Sequence, residues 1–179
     1  VTCQQYLAIE QLRLGERLNL LTGGVRTVLR RHQTLRAALE WSHGLLDPDE
    51  QTVLRRLGVF AGGFALELAQ AVATDERIDR WTVLDLLGHL VDKSLVVVDA
   101  AEVPRYRLLE TTRAFALEQL AAAGETATVL RRHAQALADY LEPQLTHYWT
   151  QNSADVARGV VEFDNLRAAL DWADSPGGD

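Results

Sequence analysis

The chain has 179 residues, of which 47% are apolar, and a formal net charge of −7 at pH 7. That apolar content excludes general disorder, and the length allows one or two domains with a hydrophobic core. The negative charge is concentrated in residues 110–179, where five Arg stand against eleven acidic residues. Because this half repels phosphate backbones, nonspecific binding of nucleic acid by the whole chain is not expected.

Cysteine content and the absence of targeting signals predict a cytoplasmic protein. The single cysteine, Cys3, excludes an internal disulfide and a multi-thiolate metal site, which suits a reducing compartment. No apolar run has the length of a membrane span, and no segment resembles a signal peptide. Because the chain begins with Val and contains no Met, we expect it to be a piece of a longer protein.

The N-terminal segment is predicted to be helical with one break. A first helix is expected within residues 4–21, ended by Gly23 and Gly24. Residues 25–33 are polar and basic and are predicted to form a loop, after which Thr34 can cap a second helix. Four residues of that helix are expected to face inward: Leu35, Ala38, Leu39 and Trp41.

The segment from Asp47 to Glu50 gives the clearest helix start. Asp47 can accept a hydrogen bond from the third helical amide, Pro48 suits the first helical position, and Glu50 can reach back to complete a capping box. This pattern predicts a helix from Pro48 to about Leu57.

Two more helices are predicted before residue 94. The turn at residues 59–64 carries aromatic residues that should pack into the core, and a short helix should cover Leu66 to Val72. After a polar connection, Thr82 can cap the next helix. Its outward side chains are predicted to include Asp85, His89 and Asp92, with Lys93 at its end.

Residues 90–120 change hydrophobic period twice, from helical to strand-like and back. Ser94 to Val98 is predicted to be a strand. The return strand is predicted from Tyr106, Leu108 and Leu109. Helical spacing resumes over residues 110–123, and Gly124 is placed to end that helix. Three short helices, a hairpin and a further helix form the order of a winged helix.

Two helices are predicted at the C-terminus. The first covers Thr128 to Trp149 and is expected to be bent or interrupted near Pro143. The second is capped by Ser153. Its apolar face is predicted to comprise Val156, Val160, Phe163, Leu166, Leu170 and Trp172. The predicted fold is therefore mainly α, a winged helix flanked by helical segments and followed by an α-hairpin.

The sequence contains no complete active site. It has no Gly-rich loop ending in Lys-Ser or Lys-Thr, so no phosphate cradle is predicted. The five histidines never stand three or four residues apart, which argues against a metal site. Ser42 and His43 are neighbours in a predicted helix and point apart, so they do not form a nucleophile and base pair. We therefore predict a non-catalytic protein.

The two candidate contact surfaces differ in charge, one being basic and the other acidic. Four arginines within eleven residues could grip a phosphate or an acidic protein surface, although pairing with the acidic C-terminal half is the simpler interpretation. These are Arg26, Arg30, Arg31 and Arg36. In the third helix of the winged helix, Asp85 and Asp92 would face the phosphates of a DNA groove and weaken binding. The pattern favours contact with protein, and a DNA-binding winged helix is the alternative.

Three segments, in this order, resemble one protein family. They are RHQTLRAALEWSHGLLDPDEQTVLRRLGVFAGGF (31–64), LLGHLVDKSLVVV (86–98) and RYRLLETTRAFALEQL (105–120). Together they resemble the end of the NB-ARC-type ATPase module of STAND-class NTPases. Those proteins are large bacterial signal-transduction regulators with AfsR-, LuxR- or adenylate-cyclase-type effector domains.

The resemblance implies that three segments of the chain belong to domains with different roles. Residues 1–33 would end a helical subdomain, residues 34–123 would form a winged helix that acts as a nucleotide lid, and residues 124–179 would begin TPR-like repeats. ATP or ADP would bind a P-loop domain outside this chain, and no cofactor is expected within it. The partners would be the regulator's own nucleotide-binding and effector domains, with a protein or small-molecule signal at the repeats.

The family's Met-His-Asp element corresponds here to Leu108, Leu109 and Glu110. In the family the His reaches the β-phosphate of ADP, and Leu109 cannot donate that hydrogen bond. Glu110 can still act as the acidic residue by capping the following helix. The resemblance thus implies a mobile lid, with a helical scaffold that does not move as the plainer alternative. Its candidate interface residues are Arg30, Arg31, Arg36 and Glu110.

Overall fold

The computed structural model describes residues 25–99, 103–146 and 160–175, with side chains from residue 34 onward except those of residues 143–146. Within these ranges the chain forms seven helices and one β-hairpin, which confirms the predicted fold class. The helices are α1 (Val25–Gly44), α2 (Pro48–Leu57), α3 (Leu66–Ala73), α4 (Arg80–Asp92), α5 (Glu110–Ala122), α6 (Thr126–Thr146) and α7 (Phe163–Ala173). The strands are β1 (Val97–Asp99) and β2 (Arg105–Arg107), paired antiparallel. The helix predicted within residues 4–21 and the Ser153 cap lie outside the described residues.

The predicted loop at residues 25–33 is wrong, because α1 runs without a break from Val25 to Gly44. Thr34 therefore lies inside a helix and does not cap one. The segment has no Gly or Pro before Gly44, and its Leu and Arg residues are good helix formers. A basic composition alone does not interrupt a helix.

The predicted inward face of α1 is largely exposed. Leu39 is half-buried and packs against the core. Leu35, Ala38 and Trp41 are exposed, and 69% of Trp41 is accessible. The reason is that α1 touches the rest of the described chain chiefly through α5 and has no second helix layered over it among the described residues.

The start of α2 confirms the predicted capping box. Asp47 Oδ1 accepts hydrogen bonds from the amides of Asp49 and Glu50, both at 2.9 Å. In return Glu50 Oε2 accepts from the Asp47 amide at 3.0 Å. With Pro48 in the first turn, these bonds satisfy amides that a helix start leaves free, so local sequence alone fixes this boundary.

The turn after α2 packs its aromatic residues into the core, as predicted. Phe60 and Phe64 are at most 1% exposed, and their rings stack with centroids 4.3 Å apart. Phe64 also forms a β-bridge with Tyr106 of β2, in which each amide nitrogen lies 2.8 or 2.9 Å from the carbonyl oxygen of the other residue. These bonds attach the turn to the hairpin of β1 and β2, which is the wing of the winged helix.

Asp79, and not Thr82, caps α4. Asp79 Oδ1 accepts a hydrogen bond from the Thr82 amide at 2.8 Å, and the helix begins at Arg80. Thr82 was predicted as the cap because it is a capping residue type, but Asp79 reaches the third helical amide from the position just before the helix.

The hairpin strands are shorter than predicted. Ser94 has a φ of 59°, and the Leu95 amide donates to the Leu90 carbonyl at 2.9 Å, so these residues end α4 instead of starting β1. On the return side, Leu108 and Leu109 lie beyond the end of β2. Ser94 and Leu95 belong to the end of α4, so β1 begins only at Val97. The β-branched residues that follow them had predicted a longer strand.

Gly124 ends α5 as predicted, with a φ of 70°. Its amide donates to Ala121 and that of Glu125 donates to Leu120, the two bonds of a Schellman motif. α6 then runs from Thr126 to Thr146, so it is not interrupted at Pro143. Residues 147–149 of the predicted helix lie outside the described residues.

The predicted apolar face of α7 is confirmed only in part, since Trp172 is buried and Leu166 is half-buried. Val160, Phe163 and Leu170 are exposed by 56% or more. The residues that the chain buries here are Glu162, Asn165, Ala169 and Trp172. α7 is therefore oriented by polar contacts to the winged helix as well as by apolar contacts, and its periodicity alone did not reveal which stripe faces inward. Val156 lies outside the described residues.

One apolar core joins the winged helix to α6. α2 packs on α5 and α4, α3 packs on α4 and α6, and α7 packs on α6. The most deeply buried large apolar residues are Leu54, Leu57, Phe60, Phe64, Leu68, Ile78, Leu87, Leu90, Leu120 and Leu137. Since Leu137 belongs to α6, that helix completes the core of the described chain. No described helix is both long and apolar enough to cross a membrane.

A buried ion cluster fastens α2 to the start of α6. The Arg56 side chain is 6% exposed and donates to Asp75 Oδ2 at 2.6 Å and to the Ala73 carbonyl at 2.7 Å. Arg55 donates two hydrogen bonds of 3.1 Å to Glu125, which also accepts from Arg56. Although burial opposes it, hydrogen bonds from the Ile78 amide and Arg56 lower the pKa of Asp75 to about 2.

Gly58 is expected to be a site where one methyl group destabilises the protein. A Cβ on Gly58 would lie 3.0 Å from Ala116 Cβ and 3.1 Å from the Leu117 amide nitrogen, where α2 ends against α5. We expect Gly58→Ala to lower the free energy of unfolding by about 1–3 kcal/mol in urea denaturation. Gly88→Ala is the matched control, because a Cβ there meets no atom within 4 Å and the helix gains about 0.5–1 kcal/mol. Equal effects of the two changes would contradict the packing argument.

His133 makes stability depend on pH. It is 1% exposed and packs edge-on against Phe60 at 5.0 Å; burial, aided by the nearby Arg113, lowers its pKa from 6.5 to about 4. Below pH 6.5 the His133 imidazole is protonated in the unfolded chain but stays neutral in the folded chain. The free energy of unfolding should therefore fall between pH 6.5 and 4 by at most about 3 kcal/mol. His133→Leu should flatten this part of a stability profile measured by urea denaturation, whereas His89→Gln at an exposed histidine should not.

Candidate functional site

The outer face of α4 is acidic and aromatic. The helix buries Val83, Leu86, Leu87 and Leu90. As predicted, Asp85, His89 and Asp92 are exposed. Trp81 in the first turn is also exposed, to 75%, and the sequence analysis did not single it out. Large exposed aromatic side chains beside carboxylates are suited to a protein partner and not to a phosphate backbone.

Lys93, at the end of α4, is bound by a buried carboxylate. Its Nζ donates to both oxygens of Glu50, with 2.6 Å to Oε2. The Glu50 residue is 2% exposed, and His89 Nδ1 lies 3.5 Å from its Oε1. The capping box holds the same carboxylate at the start of α2. Lys93 therefore ties α4 to α2 and offers little charge to an external anion.

Other cations around the wing are also paired. Arg105 of β2 donates to Glu162 at 2.6 Å, and Arg107 lies 3.4 Å from Asp99 across the hairpin. Beside α4, Arg77 pairs with Asp49 at 2.6 Å. Arg80 is exposed at the first position of α4, with a 3.3 Å hydrogen bond to Gln70. The sequence had placed it in the polar connection before a helix capped by Thr82, so it was not predicted as a helix residue. The described face thus has carboxylates outward and most of its cations engaged.

Arg36, one of the predicted interface arginines, is exposed on α1. It donates to Glu40 at 2.9 Å and lies 2.8 Å from Glu118 of α5. The hydrogen bond and charge of Glu118 raise the pKa of Arg36. This agrees with the simpler interpretation of that basic segment, pairing with acids of the C-terminal half. Arg30 and Arg31 lie in α1, and their side chains are outside the described ones.

Leu108, Leu109 and Glu110 form the junction between the wing and α5. Leu108 is half-buried against the core, whereas Leu109 is 46% exposed. Leu109 occupies the capping position of α5 with no side-chain hydrogen bond, and Glu110 is the first helical residue. The prediction that Glu110 caps α5 is therefore wrong, since a residue at that position contributes its charge to the helix N-terminus and not a cap.

Two of the described histidines, His43 and His133, pack against aromatic rings. His43 lies edge-on to Phe115 with centroids 5.3 Å apart, and burial followed by the charge of Arg55 lowers its pKa. His133 packs against Phe60 in the core. Within the described ranges, no three His, Cys, Asp or Glu residues are grouped as a metal would require. His32 and His147 lie outside the described side chains.

A second polar centre, missed by the sequence analysis, lies between the wing and α7. Glu162 is fully buried and Asn165 is 1% exposed. Both bind Arg105 or the turn at Gly62 and Gly63. No local pattern marks these residues, because the contacts join positions about 57 and 102 apart in the chain.

Comparison with known proteins finds one matching domain family and several relatives. Residues 46–121 match the family model described as "Winged helix-turn-helix domain", a range that runs from just before α2 nearly to the end of α5. The "Putative HTH-type transcriptional regulator" proteins of Mycobacterium tuberculosis and Mycobacterium bovis are each 47% identical over 165 residues, 89% of this chain and 18% of theirs. An "Uncharacterized protein" of Mycobacterium tuberculosis is 44% identical over 122 residues, 67% of this chain and 31% of that protein.

The chain spans less than a fifth of the length of the named regulators. No solved structure matches it.

The Glu50 and Lys93 pair is expected to be structural. Lys93→Met keeps most of the stem but leaves the buried carboxylate without its cation, so the free energy of unfolding should fall by about 1–3 kcal/mol in urea denaturation. The matched control is Arg77→Met, which removes the exposed pair with Asp49 and should cost less than about 1 kcal/mol. If Lys93→Met cost no more than the control, the pair would not hold α4 to α2.

Proposed function

We propose that this winged helix is a protein-contact module of a longer transcription regulator, in which the outer face of α4 binds another domain or protein. The observation that carries the proposal is the composition of that face. Trp81 offers a large apolar anchor, and Asp85 and Asp92 point outward on the following turns. Aromatic anchors surrounded by polar groups are typical of interaction hot spots.

Electrostatics argue against the same face reading DNA. A winged helix of the helix-turn-helix class places its third helix in the major groove. Two carboxylates there would be brought close to phosphates, while Lys93 is engaged by Glu50 and Arg105 by Glu162. Binding of DNA depends on cations that neutralise phosphates, so the described face supplies little of the required energy.

DNA binding is the second candidate function, and the family match favours it. The matched range includes the three helices and the wing that such domains use on DNA. Arg80, at the first position of α4, is an exposed cation placed where a third helix could approach a phosphate. Salt-dependent binding of duplex DNA that Arg80→Ala abolishes would establish this candidate.

The resemblance to STAND-class ATPases refines the proposal. In this form, a P-loop domain outside the chain binds ATP or ADP, and its nucleotide state shifts the winged helix between docked and released positions in a cytoplasmic regulator. TPR-like repeats would deliver the signal. Since the Leu109 side chain has no hydrogen-bonding group, this chain alone should not bind fluorescent ADP or ATP.

The first test is fluorescence anisotropy of the purified chain with labelled 25-bp duplexes over a series of salt concentrations, about 50–300 mM. We expect no saturable binding below about 10 μM, because the exposed charges of α4 are mainly acidic. Asp85→Asn combined with Asp92→Asn should increase any residual affinity. Tight binding by the unaltered chain would overturn the protein-contact proposal.

The second test uses the longer regulator. Trp81→Ala and Asp85→Arg should each change transcriptional output without lowering the melting temperature, because both residues are exposed. Asp171→Arg on the outer side of α7 makes the same charge change and should leave output unaltered. Unchanged output in both α4 variants would count against the proposed contact face.

A further inference from the structure

A single polar network attaches α7 to two parts of the winged helix. Arg105 Nη1 donates to Glu162 Oε1 at 2.6 Å, while Arg105 Nη2 donates to the Gly63 carbonyl at 2.7 Å. Asn165 Nδ2 donates to Glu162 Oε2 at 2.7 Å and to the same Gly63 carbonyl at 2.9 Å. Both oxygens of the buried carboxylate are thus satisfied, one by the wing and one within the C-terminal helical segment.

Asn165 also completes the turn between α2 and α3. Its Oδ1 accepts from the Ala61 amide at 2.9 Å and from the Gly62 amide at 3.4 Å. The Asn165 side chain therefore binds two amides and one carbonyl of residues 61–63. The next residue, Phe64, forms the β-bridge with Tyr106 of β2. Turn, wing and α7 are held by the same few groups.

The composition of this contact makes it reversible. A fully buried carboxylate costs free energy unless it is paired, and a buried ion pair adds little net stability because the cost of desolvation offsets the attraction. Its polar groups recover hydrogen bonds from water on separation, so opening costs less than exposing an apolar face of equal size. The other end of α7 differs, because Ala169 there belongs to the apolar core. The helix has one apolar attachment and one polar one.

We infer that Glu162 and Asn165 form a latch through which the C-terminal helices control the wing. With the latch closed, Arg105 is paired with Glu162 and the Gly62 and Gly63 turn is fixed. With it open, Arg105 loses its carboxylate partner and the turn amides exchange their hydrogen bonds with water. This goes beyond the contact role of α4, and it holds whether that helix binds protein or DNA. Movement of α7 would therefore change what the wing can contact.

The test is hydrogen exchange of single amides in the whole chain, followed by NMR. In the unaltered protein, the Ala61 amide should exchange through a local opening. Its exchange rate should therefore rise less with denaturant than the exchange rates of α2 amides such as Leu54. Glu162→Gln places an amide nitrogen among groups that donate, and it should accelerate exchange at Ala61 and Gly62 by about tenfold or more. Asn165→Asp, which removes the donor to Gly63 and adds a charge beside Glu162, should do the same.

Asp171→Asn is the matched control, since it removes one carboxylate from the exposed side of the same helix. Exchange at Ala61 and Gly62 should be unchanged in this variant. The latch is refuted if Glu162→Gln leaves those amides unchanged, or if α2 amides accelerate by the same factor. It is also refuted if the Ala61 amide in the unaltered protein exchanges only through global unfolding, a measurement that stands even where a variant does not fold.

Discussion

The buried guanidinium of Arg56 is the constraint on which the arrangement of the described chain depends. It lies at the end of α2 and binds three separate segments: the carbonyl that ends α3, the Asp75 connection, and Glu125 just before α6. A charge at this depth is tolerated only with full pairing. Its partners must therefore be in place together, which sets the winged helix against α6 in one orientation.

Around this centre, three of the described cations bind carboxylates of the chain itself. Lys93 secures α4 to α2 through Glu50, Arg105 secures the wing to α7 through Glu162, and Arg36 joins α1 to α5 through Glu118. Each pair couples one helix or strand to another. The consequence for function is that the described surface of α4 presents carboxylates and Trp81, with Arg80 as an exposed cation at its start.

Local chemistry explains which parts of the site could be predicted. The exposure of Asp85, His89 and Asp92 follows from helical periodicity, because the opposite stripe of α4 is apolar. The roles of Lys93 and Arg105 could not be predicted in this way, since their partners lie 43 and 57 residues away in the chain. The stripe of α7 that faces inward was only partly predicted, because the buried Asn165 and the preceding Glu162 find their partners in the turn, the wing and each other.

By itself, the sequence determined the elements whose ends are fixed by neighbouring residues. The capping box at Asp47 starts α2, Gly124 ends α5, and the changes of hydrophobic period give the winged-helix order. These features depend on bonds within a few residues. Only the tertiary structure decided that Glu162 and Asn165 turn inward and which of the described cations remain available. Burial and ion pairing between distant segments set those outcomes, and no local pattern encodes them.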